Sequence, residues 1–396
     1  MSERQPGAIE RFRAAVLADA RLQTELGSAE DWPAFIETAT GVAQRLGLGP
    51  NEVDFANLRR DDPLGLLRFE PPSGAPPETP QAGWLPALVA WDGAALAVDW
   101  VYFGARRLPG SFYEGDLRSA LARPFNILFR FRTPLTELAR WAGALPSLRP
   151  SGLIFHMSRC GSTLVSQMLA AAPANLVISE AGPIDAILQL GGAAPAGSLQ
   201  AMIGALGQVR NCERRYFIKL EAWHLLAMPA LRAAFPETPW LFLYRDPAEV
   251  IVSHLRQPAL IAPTAVLDAI CGVGAAERRG ADPIAQALGA ICRAALEAEA
   301  GGGGLLVNYD ELPGALWSRI LPHFGVAWFD DEREAMVAAA HFDAKAPWLQ
   351  FVADALEKRQ LAGDEVREAC GRRLDEVYER LEALRRQPAT AGESIR

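Results

Sequence analysis

Residues 153–164 read Leu-Ile-Phe-His-Met-Ser-Arg-Cys-Gly-Ser-Thr-Leu. An apolar strand, 153–157, runs into a short loop, and the loop opens a helix. α/β proteins hold a phosphate or phosphosulfate in this way, because N–H groups at the start of a helix have no partner inside it and point at the anion. The loop Ser158-Arg159-Cys160-Gly161-Ser162-Thr163 offers three things. Gly161 lets backbone approach a ligand closely. The first N–H groups of the helix hold the charge. Arg159 and the hydroxyls of Ser162 and Thr163 add donors. The nucleoside-triphosphate version of such a loop is G-x-x-x-x-G-K-[ST]. This chain has no Lys before Ser162-Thr163, and its basic residue, Arg159, sits earlier in the turn.

A second apolar run, 240–244, ends in Arg245-Asp246-Pro247, with Ser253 eight positions after Arg245. An ATP site would want magnesium and an Asp at the end of a neighbouring strand. Here the strand ends in Arg, and Asp246-Pro247 reads as the cap and first turn of the next helix. Arg245 at the strand end and Ser253 two turns into that helix either converge on one phosphate or are a surface Arg and an ordinary helical Ser.

These two stretches, in this order, resemble the sulfotransferase family. The segment Leu306-Val307-Asn308-Tyr309-Asp310-Glu311-Leu312, followed by 320–325, resembles the family's late strand and helix. The resemblance covers 151–330 and, more loosely, the C-terminal part. It implies a P-loop NTPase-like sulfotransferase fold and 3′-phosphoadenosine-5′-phosphosulfate (PAPS) as co-substrate, with no metal. The 158–163 loop then corresponds to the 5′-phosphosulfate loop, and Arg245 with Ser253 to the 3′-phosphate motif. There are departures. The family often carries Lys where Arg159 stands, although Arg is usual in its tyrosylprotein-type and many bacterial branches. The C-terminal glycine-rich signature of the cytosolic members is not recognisable. Lys345, in His341-Phe342-Asp343-Ala344-Lys345, is a solvated Lys or reaches the nucleotide instead.

Sulfuryl transfer needs in-line geometry, positive charge on the oxygens and a base for the acceptor proton, so most of the catalysis is positioning and electrostatics. Glu180 is the first choice of base. It follows the strand 176–179, where open α/β sheets place ligands, and its spacing from Arg159 resembles the catalytic Glu region of the tyrosylprotein branch. The alternative is that Glu180 caps a turn before Pro183. His224 and Glu221 stand behind it: His224 has the more suitable unperturbed pKa, and Glu221 occupies about the place of the His in the Lys-x-His pattern of cytosolic members. Lys219 neutralises the leaving phosphate or is a strand-end cation. Cys160 lies beside a helix N-terminus, which lowers a thiol pKa. It has no partner His in view and is read as structural. His156 is read as a core histidine. His323 and His341 have no carboxylate or Cys at ligand spacing, so no metal site is expected.

The elements that position these groups follow from periodicity. Short continuous apolar runs at 153–157, 176–179, 216–220, 240–244 and 305–307 predict a parallel sheet buried on both faces. Helices are expected between them at 163–172, 225–235 and 248–256, then at 284–300, opened by Pro283 and ended by Gly301–Gly304. A last helix carries Leu374, Val377, Tyr378, Leu381 and Leu384 on one face, ends before Pro388 and leaves a disordered tail. Residues 8–58 read as a small helical unit, with Phe12, Val16, Leu22 and Leu26 on one face and Ser28 with Asp31 as the capping box of a second helix. That unit weakly resembles the Nif-type leader-peptide module. Residues 71–83 read as a linker. The aromatic stretch 84–141 reads as a small α+β segment with strands at 98–103 and 125–131. The expected organisation is therefore a helical module (1–65), a linker with a small α+β segment (66–148) and an α/β domain with a central parallel sheet and flanking helices (149–396).

Bulk properties narrow the function. Of 396 residues, 50% are hydrophobic, and the formal net charge is −8. That balance argues against general binding to nucleic acid or an acidic membrane surface. Five cysteines without a C-x-x-C pair suit a reducing compartment. The start, Met-Ser-Glu-Arg-Gln-Pro-Gly, has no signal-peptide core, and the uncharged run 186–209 is too rich in Gly and Gln for a membrane span. A cytoplasmic enzyme is the expectation, moving sulfuryl groups from PAPS to a hydroxyl or amine of a small-molecule, glycan, lipid or peptide acceptor. Two rivals are a P-loop kinase using ATP and magnesium and a non-enzymatic nucleotide- or peptide-binding protein. The missing Lys and the Arg-ended strand speak against the kinase.

Overall fold

The computed structural model describes residues 7–387 apart from 61, 73, 260, 346–348 and 350–354. The chain divides into two compact units, one of residues 1–149 and 180–214, the other of 150–179 and 215–396.

The first unit opens with helices Ala8–Ala18, Ala20–Gly27, Trp32–Arg45 and Glu52–Ala56. Phe12, Val16, Leu26, Phe35, Ala39 and Val42 are buried, as the 3.6-residue spacing predicts, and Leu22 is half-buried. The expected capping box needs correction. Ser28 is still helical, at the end of the preceding helix, and its hydroxyl donates to the Glu25 carbonyl. Asp31, in extended backbone, is the cap, accepting from the Ala34 N–H at 2.9 Å. Next comes an antiparallel sheet, β1 (Trp84–Trp91), β2 (Leu96–Tyr102) and β3 (Phe131–Pro134), in that order.

The expected strand at 125–131 is instead a helix, Pro124–Phe129, and only Phe131 enters β3. Two features override the aromatic, strand-like composition. Pro124 sits in the first turn, where its fixed φ suits a helix. Asn126, 1% exposed, turns its amide onto the backbone of Tyr102 and Ala120. Trp84, Phe125, Phe129, Phe131, Trp100 and Trp141 then form one buried aromatic cluster. The uncharged run 186–209 falls mainly in helices Gly182–Leu190 and Ser198–Leu206 of this unit.

The second unit is an α/β fold. Its five strands are β4 (Gly152–His156), β5 (Asn175–Ser179), β6 (Arg215–Lys219), β7 (Trp240–Tyr244) and β8 (Gly304–Asn308). All are parallel, in the order β5-β6-β4-β7-β8. β4, β5 and β7 are buried throughout, which is why they read as unbroken apolar runs. From β4 the chain goes to the edge strand β5, returns inward to β6 beside β4, and then crosses to the other side for β7 and β8. The order therefore reverses at β4 and β7, the place where open α/β sheets form a ligand crevice at their carboxyl ends.

The flanking helices include Ser162–Ala171, Pro247–Arg256, Ala281–Ala300 and Asp375–Arg385. Two boundaries differ from expectation. The 225–235 helix splits into a 3₁₀ turn, Ala222–Ala227, and a short α-helix, Met228–Ala234, which begins one residue before Pro229. The 284–300 helix starts at Ala281, so that Pro283 lies within its first turn. The predicted disordered tail beyond Pro388 lies outside the described residues. Among the described residues no helix is long and apolar enough to cross a membrane.

Asn126 gives a direct test of the first unit. Its Oδ1 accepts from Tyr102 N–H at 2.8 Å, and its Nδ2 donates to the carbonyls of Tyr102 at 2.9 Å and Ala120 at 2.8 Å. Asn126→Leu strands the buried N–H and C=O of Tyr102, while the Ala120 carbonyl keeps the Arg123 N–H. We expect a loss of roughly 2–4 kcal/mol in urea unfolding, since each unpaired group costs about 1–3 kcal/mol. A loss under 0.5 kcal/mol contradicts this.

Candidate functional site

The turn after β4 is built from backbone that most residues avoid. Ser158, Arg159 and Gly161 have φ values of 76°, 51° and 85°. Left-handed conformations of non-glycine residues cost about 1–2 kcal/mol each and persist only where surroundings over-determine them. The surroundings do so here. Met157 N–H and Cys160 Sγ both donate to the Leu243 carbonyl, each at 3.0 Å. Ser158 N–H donates to His156 Nδ1 at 3.0 Å, and Ser158 Oγ lies 3.1 Å from His254 Nε2. Arg159 donates to the Gln257 carbonyl at 2.7 Å and to its Oε1 at 3.2 Å. The loop is thus pinned from beneath by β7 and from the side by the 247–256 helix.

Gly161 is the N-cap of the Ser162–Ala171 helix and has no side chain with which to cap that terminus. A Cβ on Gly161 would fall 2.7 Å from the Tyr309 ring and 2.9 Å from Leu312, so glycine is required by space as well as by φ. Successive main-chain N–H groups in such a turn, with a helix start behind them, form an anion-binding concavity.

β7 lies beside β4, with Phe155 paired to Phe242 and His156 to Leu243. Arg245 therefore leaves the sheet next to the loop. It is 5% exposed, and its guanidinium lies 4.0 Å from the Tyr309 ring centroid. One ring thus touches both the loop glycine and the strand-end arginine. Asp246 caps the following helix through the Ala248 and Glu249 N–H groups, as its sequence position suggests. Ser253 is buried on that helix, adjacent to the His254 that holds the loop.

Glu249 was not foreseen as part of the site. It is 1% exposed and sits 2.5 Å from Arg245 on one side and 2.5 Å from Arg359 on the other. The only sequence signal for it is its place four residues after Arg245, the spacing of a helical ion pair. His254, Gln257 and Tyr309 were also missed as site residues, because their contacts span stretches of chain that no local pattern connects.

β6 flanks β4 on the other side. Lys219, its last residue, is 1% exposed and registers against Ile154 of β4 and Ser179 of β5. Glu180 follows β5 directly, half-buried, with φ 50°. That is a left-handed position for a charged residue at a strand end, the kind of outlier that clusters at functional sites. Glu221 and His224 occupy one tight turn, where the Glu221 N–H donates to His224 Nδ1 at 3.2 Å. The His224 ring is 1% exposed and edge-on to Trp223.

Two titrations stand out. The expected depression of the Cys160 thiol is overturned. Burial pushes its pKa up to about 12, and the opposing pull of nearby main chain, Lys219 and Arg245 is smaller. The thiol points into the sheet, so Cys160 offers only its main chain to the loop. The His254 pKa is driven down to about 4, chiefly by burial and next by the Arg159 charge. His254 is therefore neutral near pH 7.

No protein-family model, the Nif-type leader module included, and no curated protein matches the chain. Several solved structures align with part of the chain. The sulfotransferase STF1 from Mycobacterium tuberculosis H37Rv aligns at 17% identity over 54% of this chain and 77% of its own, with a TM-score of 0.34. The sulfotransferase domain from the curacin biosynthetic pathway aligns at 16% identity over 57% of this chain and 98% of its own, with a TM-score of 0.38. Mouse sulfotransferase SULT7A1, complexed with PAP, aligns at 12% identity over 63% of this chain and 93% of its own, with a TM-score of 0.36.

The His254 shift predicts a pH signature. Its pKa is about 4 folded against 6.5 unfolded, so between those values the unfolded chain binds more protons. Its contribution is full above pH 6.5 and lost as pH falls through 4, a change of roughly 3 kcal/mol. Urea unfolding across that window should show the slope, and His254→Asn should flatten it. An unchanged slope in the variant refutes the assignment.

Proposed function

We propose that the chain transfers a sulfuryl group from PAPS to a hydroxyl or amine by metal-independent in-line displacement. One observation carries this reading. The left-handed loop after β4 and the buried Arg245 after β7 emerge side by side, the loop glycine against the edge of the Tyr309 ring and the guanidinium over its face. A turn suited to an anion beside a separate cation supports a ligand charged at both its 5′ and 3′ positions. The residues fit such a ligand. Gly161 leaves room for close approach and, as the N-cap, brings no side chain of its own to the helix's first N–H groups.

In this assignment Arg159, Gly161, Ser162 and Thr163, with the main chain of Ser158 and Cys160, hold the 5′-phosphosulfate. Arg245 and Ser253 hold the 3′-phosphate. Lys219 offsets charge on the leaving phosphate. Glu180 takes the acceptor proton, with His224 and Glu221 as the other candidates. Among the three, strain favours Glu180, because a left-handed backbone at a strand end aims its side chain at some structural cost. His224 already uses Nδ1 to accept from the main chain. In the transfer the acceptor oxygen or nitrogen forms a bond to sulfur as sulfur's bond to the bridging phosphate oxygen breaks. The proton goes to the base, and adenosine 3′,5′-bisphosphate leaves. The kinase alternative is disfavoured because the Asp at the β7 end is occupied in capping backbone N–H groups.

Thermal unfolding separates these readings, since a ligand that binds only the native state stabilises it by mass action. Adenosine 3′,5′-bisphosphate with EDTA should raise the melting temperature by several degrees, and Arg245→Ala should abolish the shift. Stabilisation only by ATP with magnesium would instead establish the kinase. For the base, Glu180→Gln should lower labelled-sulfate transfer at least 100-fold while the bisphosphate shift persists. Turnover within threefold of the parent chain removes Glu180 from that role.

A further inference from the structure

Beside the loop lies a pocket of about 290 Å³, walled by His254, Ile261, Leu267, Pro283, Ile284 and Ala287. We infer that this pocket is the acceptor site and that it takes a compact, uncharged, largely apolar alcohol or phenol. The inference rests on the donor-site reading above and goes beyond it by choosing among acceptors that the loop chemistry alone leaves open.

Three observations converge. First, one side chain of the pocket wall reaches the loop. His254 lines its wall, and the Nε2 of the same ring lies 3.1 Å from Ser158 Oγ. The Ala259 main chain also bonds this ring, which is held between pocket and loop. Second, the walls are aliphatic. The charged residue among them, Arg278, already pairs with Asp268 and donates to the Val273 carbonyl at 3.2 Å. Among the described lining residues Arg278 is the one cation, and Asp268 already compensates it against a phosphorylated or carboxylated acceptor. A sugar would leave most of its hydroxyls against aliphatic carbon, at a cost per unpaired polar group of about 1–3 kcal/mol. Third, the volume is near the lower end of ordinary small-molecule pockets, about 300–1,000 Å³. It holds one or two rings rather than a folded polypeptide segment.

The test uses 2-naphthol as probe, with the full chain. Equilibrium dialysis should show saturable binding of 2-naphthol below about 1 mM, and labelled-sulfate transfer should use it as acceptor. Ile284→Trp, which fills the half-buried wall, and Leu267→Asp, which puts a charge in it, should each weaken 2-naphthol binding at least tenfold. Each should also raise its KM at least tenfold and leave the bisphosphate thermal shift in place. Failure of the parent chain to bind 2-naphthol, or parent-like binding by either variant, overturns the inference. Pocket-dependent 2-naphthol binding without any bisphosphate shift would refute the donor reading and leave the pocket standing.

Discussion

The ring of Tyr309 is the constraint on which the proposed site depends. Its face carries the Arg245 guanidinium, and its edge meets the one loop position where no Cβ fits. That contact fixes how far the turn after β4 can rise from the sheet. It also holds the strand-end arginine beside the turn rather than in solvent. Three left-handed residues in four would unravel in isolation. They persist because hydrogen bonds from Met157, Ser158, Arg159 and Cys160 tie the turn to β7, His156, His254 and Gln257. At about 1 kcal/mol net each, those bonds are comparable in sum with the backbone strain. The turn is therefore pre-formed, and a ligand would spend little of its binding energy on ordering it.

Electrostatics around the turn are set by burial more than by proximity. Cys160 sits at a helix start near two cations, yet its thiol is pushed up, because removing a thiolate from water costs more than those charges return. Arg245 would lose much of its effect on an anion if Glu249 were its only neighbour, since a buried ion pair is nearly neutral from outside. Arg359 takes the other oxygen of that carboxylate, leaving two guanidinium groups to one buried acid. Asp246 and Asp310 lie farther from Arg359, at 4.0 Å, and are more exposed, so they offset less of that charge.

Much of the second unit was legible from local pattern. Five continuous apolar runs became five parallel strands, because strands buried on both faces have no polar side to reveal in sequence. Asp246-Pro247 announced a helix start, and the structure uses both residues that way. Local pattern failed where composition and context disagreed. Phe125–Phe129 is rich in strand-forming residues, yet a proline at its start and a buried asparagine amide make it a helix. Ser28 has the right chemistry for a cap but remains inside the previous helical turn.

The residues themselves determined the strand set, the loop that opens a helix and the two cation-bearing stretches, because those depend on side-chain periodicity and on backbone freedom within a few positions. Only the tertiary structure decided that β7 lies beside β4, that Tyr309 joins glycine to arginine, that Glu249 and Arg359 share a charge with Arg245, and that His254 connects the turn to an apolar pocket. Those are contacts between positions tens to more than a hundred residues apart. Their energy comes from burial and desolvation, which no short window of sequence contains.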